Sequence, residues 1–160
     1  MRHLKLWTMQ GAQLEAECAD FSRKGSLQTF VSLAFMKVRS KEETAVAHTL
    51  CGCQDGSLYV LDRGLKLVSA EKKSHDGPIN SIVAPYRASE ECGSYAITGG
   101  ADGKIRRWDA HQSVGLTPIW TVDLEEKTRV LFSPFSSKRF PVRGLGISNN
   151  MIYVLSLIHI

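Results

Sequence analysis

The chain has 160 residues, 43% hydrophobic and 22% charged, with a net charge of +4; this is the profile of one soluble globular domain with a real core. No apolar run approaches the ~18 residues of a membrane span, and the start MRHLKLWTMQ interleaves charged with apolar residues, unlike a secretory leader. The four cysteines are Cys18, Cys51, Cys53 and Cys92; Cys51 and Cys53 stand one residue apart rather than the two usual in zinc and redox motifs, so they read as core thiols of a reduced, cytosolic protein, with no metal site.

In chain order, residues 3–8 (HLKLWT) read as the third strand of a four-strand unit and 12–17 as its outer strand, followed by a polar connector over 18–28. Residues 29–35 (TFVSLAF) form the inner strand of the next unit, and the charged 37–44 its loop. Residues 45–51 are the second strand, Gln54-Asp55-Gly56 a hairpin turn and 57–61 the third strand, with Gly64 breaking the chain before an outer strand at 65–70. The third unit opens at His75-Asp76-Gly77-Pro78, with strands at 79–84, 94–98 and 104–108 and a turn at Asp102-Gly103, where Gly tolerates positive φ and Asp bonds its own backbone. Its outer strand is 118–123, started by Pro118, which has no ladder donor to lose there. Residues 125–140 are a long connector, 142–147 the inner strand of a fourth unit, Asn149-Asn150 a turn and 151–155 the next strand. No segment sustains helical apolar spacing.

The pattern repeats: Trp7, Leu61, Trp108 and Leu155 fall at one place in register, 54, 47 and 47 residues apart, although Leu155 lies one strand earlier in its unit. A unit that opens on His, turns on Asp-Gly and closes on Trp-Asp resembles one blade of a WD-repeat β-propeller. That resemblance implies an all-β fold, a partial WD-repeat β-propeller of about three and a half four-stranded antiparallel blades. It divides the chain into a truncated blade and connector (1–28), a blade (29–74), a blade with a polar tetrad (75–125), a connector with the start of the next blade (126–154), and a tail (155–160). In such blades a loop histidine, a strand hydroxyl, a turn aspartate and the tryptophan form a buried polar chain; here these are His75, Thr98, Asp102 and Trp108. The blade turns are Asp55-Gly56 and Asp102-Gly103. In the preceding blade Leu61 replaces Trp and Cys51 the hydroxyl, so an apolar pair is expected to fill that space. Propellers close with four to eight blades, so we expect a piece of a larger propeller. The tail LSLIHI matches the translation of a common sequencing adapter, and residues 155–160 are read as an artefact.

The tetrad could also suggest nucleophilic catalysis, but a structural network that leaves no buried group unpaired is the stronger reading. There is no Gly-x-Ser-x-Gly, no Cys-x-x-Cys and no phosphate-binding loop; the glycines of 99–103 precede a strand, not a helix N-terminus. No catalytic residue and no cofactor is expected. After Glu126 the chain carries Lys127, Arg129, Lys138, Arg139 and Arg143 and no acidic residue. Such a patch suits an acidic partner, and no aromatics interleave it as nucleic-acid binding would require. Arg106, Lys138, Arg139 and Arg143, on rim loops, are the candidate partner-binding residues.

The order HLKLWTMQGAQL, GSLQTFVSLAF, CGCQDGSLYVLD, KSHDGPINSIV, ITGGADGKIRRWD resembles the echinoderm microtubule-associated protein-like family. His3, Lys5, Trp7, Gln28, Thr29, His75, Asp76, Gly77 and Pro78 match its pattern. The resemblance implies tandem propellers, binding to tubulin or microtubules through the full-length parent, and a cytoplasmic, cytoskeleton-associated location, with no membrane or nucleic-acid partner. The competing expectation is a WD-repeat adaptor for another complex, a ubiquitin-ligase or signalling scaffold.

Overall fold

A computed structural model describes residues 4–21, 28–39, 45–85, 94–111, 115–128, 140–148 and 151–156. Among them the chain forms four antiparallel sheets of two to four strands, in the arrangement of a partial β-propeller with no closed barrel. The first sheet pairs β1 (Lys5–Gln10) with β2 (Gln13–Cys18) across a turn at Gly11. The second orders β3 (Phe30–Arg39), β4 (Ala45–Cys53), β5 (Leu58–Leu61) and β6 (Leu67–Glu71). The third repeats that order with β7 (Ile79–Val83), β8 (Tyr95–Gly100), β9 (Lys104–His111) and β10 (Gly115–Asp123). The fourth pairs β11 (Val142–Ser148) with β12 (Met151–Ser156). No helix among the described residues is long and apolar enough to cross a membrane.

Each complete sheet is a meander, the order that short β-branched runs separated by Asp-Gly turns dictate. Strand alternation then sends successive side chains to opposite faces. One face of β4 and β5 (Leu50, Leu58, Val60) packs with Ile79, Ile82, Ala96 and Trp108 of the next sheet. The opposite face (Cys51, Cys53, Tyr59, Leu61) closes instead over Leu4, Phe21 and Phe30. Ile97 and Ile105 form a third cluster with Val142, Leu145 and Ile147. The core is thus a series of seams between consecutive sheets, and the inner strand β7 touches both β3 and β11.

The three inner strands share one irregularity. A bulge falls between Phe30 and Ser32, between Ile79 and Ser81, and between Val142 and Gly144. Phe30, Ile79 and Val142 are therefore equivalent, and so are Leu33, Ile82 and Leu145. Between these positions Ser32 and Ser81 lie opposite Gly52 and Gly99, which are therefore equivalent. A Cβ on Gly52 would run into Ser32 and Ile79, and one on Gly99 into Val142. The second strand carries glycine there because the next inner strand packs directly onto its backbone. Ser32 Oγ donates to the Ile79 carbonyl at 2.6 Å, and Leu145 N–H donates to Ser81 Oγ at 3.0 Å, so the same serine position ties each seam.

Several expectations need correction. β3 runs on through Lys37 to Arg39, so part of the expected charged loop is strand. Pro118 sits mid-strand rather than at the start of β10, opposite Trp108 and beside a bulge, where an edge strand tolerates the missing donor. At the turn before β6 the left-handed residue is Leu65 (φ 57°), not Gly64, and Asp62 Oδ1 holds it by accepting from Lys66 N–H at 2.9 Å. The connector after β10 begins with a short helix, α1 (Leu124–Thr128), capped by Asp123 Oδ1, which accepts from Glu125 N–H at 2.9 Å. Leu155, by contrast, lies one strand earlier in its unit as expected: it pairs with Gly144 and stands at the place of Gly52 and Gly99. Leu155 and Ser156 belong to β12, whereas residues 157–160 and the Asn149-Asn150 turn lie outside the described residues.

Candidate functional site

The polar site of the third sheet is assembled from four separate pieces of chain. β8 supplies Thr98, the turn to β9 supplies Asp102, β9 supplies Trp108, and the segment before β7 supplies His75. Trp108 lies opposite Ala96 and two residues from Arg106, which lies opposite Thr98, so strand alternation puts Thr98 and Trp108 on one face. Trp108 Nε1–H donates to Thr98 Oγ1 at 2.9 Å. His75 Nε2 lies 2.8 Å from that same oxygen, and His75 Nδ1 lies 2.9 Å from Asp102 Oδ1. A carboxylate only accepts, so Nδ1 carries the imidazole proton, Nε2 accepts from the threonine hydroxyl, and Thr98 Oγ1 accepts from the indole. Each side-chain polar group of this four-residue network then has a partner.

The backbone holds this network from both ends. Asp102 also accepts from Asp76 N–H at 3.1 Å and Lys104 N–H at 3.1 Å, locking the His75 loop to the β8–β9 turn. His75 N–H donates to the Gly56 carbonyl at 3.1 Å, so the turn of one sheet carries the histidine of the next. Gly56 has φ 83°, and a Cβ there would strike the His75 carbonyl. Gly103 (φ 76°) sits in the same way 3.1 Å, by its added Cβ, from the Phe140 carbonyl. The relation between a turn glycine and the following sheet escapes a local reading of the sequence, although the 47-residue spacing of Gly56 and Gly103 carries it.

The order threonine–histidine–aspartate imitates a nucleophilic triad, yet its surroundings oppose one. Thr98 is 0% exposed and Trp108 3%. The indole N–H already occupies the hydroxyl oxygen, so an acyl group has no approach to it in this arrangement. Among the described residues no group of three or more His, Cys, Asp or Glu is placed to hold a metal ion.

In the second sheet the equivalent positions are apolar. Cys51 and Leu61 are both fully buried, at the places of Thr98 and Trp108. Asp55 there only builds its own turn, accepting from Ser57 N–H and Ser57 Oγ, each at 3.0 Å. Burial, then the neighbouring Cys53, pushes the Cys51 thiol up to about 12; burial, then Asp55, does the same for Cys53. Both therefore stay protonated near neutrality, as inert core thiols.

The candidate basic surface divides. Arg143 is exposed on β11, while Lys138 and Arg139 lie outside the described residues. Arg106 is not on a rim loop: it is half-buried within β9, and its Nε is buried with no partner among the described residues. Its neighbour Arg107 is held by the Tyr95 ring at 4.5 Å and by Asp109 at 3.2 Å.

The network makes a signed prediction about acid. Burial alone would push the Asp102 carboxyl up, but the His75 hydrogen bond, with the Asp76 and Lys104 N–H bonds, holds it below the usual carboxylate value. A depressed folded value stabilises the fold above the unfolded carboxylate pKa of about 3.9, and this contribution disappears as pH falls through the folded value. The urea midpoint should therefore lose a component below about pH 4 that Asp102→Asn no longer shows. Equal acid slopes in the two proteins would contradict the assigned network.

No family model matches the chain.

Proposed function

We propose that this chain is a non-catalytic interaction scaffold of the cytoskeleton, part of a WD-repeat propeller that binds tubulin or microtubules. One observation carries the scaffold reading: the most triad-like side chains are spent on bonding one another, tying the His75 segment to the third sheet, with the hydroxyl sealed beneath Trp108. Chemistry-bearing groups used in this way leave the surface to act. The tubulin reading rests on the order of motifs that resembles the echinoderm microtubule-associated protein-like family. Its support from charge is Arg143, exposed on β11 just after the basic residues Lys138 and Arg139. Tubulin's acidic tails are the kind of partner such a patch attracts.

Co-sedimentation with polymerised tubulin tests the proposal. The chain should pellet at low salt and be released as salt screens the contact. Reversing Lys138, Arg139 and Arg143 to Glu should weaken binding about tenfold while leaving the melting temperature unchanged. Arg106 is left out of that set, because a glutamate there would enter the sheet rather than the surface. Failure of the unsubstituted chain to pellet at low salt would sink the tubulin reading. Capture of ligase or signalling subunits without tubulin would favour the adaptor instead.

A further inference from the structure

The second sheet buries a pair of thiols beneath a segment that belongs to its neighbour. Cys51 and Cys53 lie two residues apart on β4, so both side chains point to one face, and both are 0% exposed. With Tyr59 and Leu61 they form a cluster that is covered from two sources. Phe30, Leu67 and Ala70 come from the second sheet itself, whereas Leu4, Ala19 and Phe21 come from the flanks of β1 and β2. The ring of Phe21 stacks on Phe30 at 5.4 Å and lies 6.0 Å from Tyr59.

A short clasp holds residues 19–21 in place. Asp20 N–H donates to the Leu65 carbonyl at 2.9 Å, and the Asp20 carbonyl accepts from Leu67 N–H at 3.1 Å. Together these make an isolated parallel bridge to Lys66 on the outer edge of the second sheet, and no ladder extends it among the described residues. Leu65, which supplies the carbonyl, is the left-handed residue (φ 57°) of the turn before β6. Backbone strain of this kind collects at switch regions. Two edge bonds and one ring stack form a unit that opens locally, without the sheet behind it.

We propose that residues 19–21 are a latch over the Cys51–Cys53 pair, and that lifting it turns these thiols into a site of oxidation by peroxides. While the latch is closed, burial above all pushes both thiols up to about 12, so neither ionises near neutrality. In water a cysteine thiol ionises at about 8.5, and the thiolate is the nucleophile. Its sulfur attacks one peroxide oxygen, and the S–O bond forms as the O–O bond breaks. The departing hydroxide takes up the proton that the thiol released and leaves as water. The sulfur is thereby oxidised to a sulfenic acid and the peroxide reduced. A polar sulfenic acid does not return beneath the rings of Phe21, Phe30 and Tyr59 without cost. Oxidation therefore holds the latch open and loosens the first sheet from the second.

The test uses the 160-residue chain with Cys18→Ser and Cys92→Ser, in which Cys51 and Cys53 are the only thiols. A maleimide should label them at least about a hundredfold more slowly than it does in urea. Phe21→Ala, which removes the stacked ring, and Asp20→Pro, which removes the donor of the clasp, should each raise the labelling rate roughly tenfold. Asp102→Asn weakens the third sheet and leaves the latch alone, so it should change the rate by less than about twofold. Under hydrogen peroxide, Phe21→Ala should yield a dimedone adduct on Cys51 or Cys53, read by mass spectrometry of the digested chain. A two-serine chain labelled as fast as in urea has no cover over the pair, and overturns the proposal. Latch variants labelled no faster than that chain do so too. An Asp102→Asn chain accelerated as much as the latch variants also overturns it, since the thiols would then follow unfolding of the whole chain. A latch variant that is labelled yet gives no dimedone adduct rules out the oxidation site.

Discussion

Trp108→Ala should destabilise the chain by about 3–5 kcal/mol, the largest effect of any single truncation we expect here. Trp108 is 3% exposed in the seam between the second and third sheets, packed with Leu50, Val60 and Ile82. Removing it opens a cavity that a β-sheet on each side cannot collapse to fill. It also takes the donor from Thr98 Oγ1, which is 0% exposed and has no access to water as a replacement. Trp108→Phe separates the two contributions: most of the packing survives, and the lost hydrogen bond alone should cost about 1–2 kcal/mol. Urea denaturation followed by circular dichroism reads both. An alanine variant that no longer shows a cooperative transition fits the expectation, since total stabilities of ~5–15 kcal/mol leave little margin. A midpoint unchanged within error would show that the indole is not where the seam is held.

Much of this architecture is legible in the sequence, because sheets advertise themselves by period and punctuation. Asp55-Gly56 and Asp102-Gly103 mark two hairpins, and both glycines do take positive φ. The equivalence of Cys51 with Thr98 follows from counting back from those turns and that of Leu61 with Trp108 from counting forward, and the strand registers agree with both. The seams are not legible. Gly52 and Gly99 look like ordinary strand interruptions, and only the approach of Ile79 and Val142 from the next sheet explains them. Contact between sheets is long-range information that a local pattern does not carry.

The other differences have local causes. Charge alone points Lys37 to a loop, yet a strand at the edge of a sheet can carry an exposed basic residue. The sequence Asp123-Leu124-Glu125-Glu126 holds a helix-start signal, an N-cap followed by acidic residues, that the dominance of strand pattern conceals. Arg106 reads as a surface charge because alternation tells which face a residue is on, not whether that face is covered. Leu155 is no such difference: spacing aligns it with the closing residues, strand order places it one strand earlier, and its pairing with Gly144 agrees with the strand order.

Gly100→Ala should be nearly as damaging as the loss of the tryptophan, at about 3 kcal/mol, although it adds only one methyl group. Gly100 does not take positive φ, so alanine meets no backbone strain there. The added Cβ would instead fall on His75 Nδ1 and Asp102 Oδ1, between the two atoms that bond each other. Either the pair parts, leaving a buried carboxylate without its strongest side-chain partner, or the His75 loop lifts from the Gly56 carbonyl to which it is tied. Gly144→Ala is the control: its Cβ would meet Leu155 no closer than 3.5 Å, and it should cost less than about 0.5 kcal/mol. The double variant Gly100→Ala with Asp102→Asn should be less destabilised than the sum of its parts, because both act on one bond. Strict additivity, or a Gly100→Ala chain as stable as the control, would mean that the His75–Asp102 bond contributes little. The seam would then be held by packing around Trp108 alone.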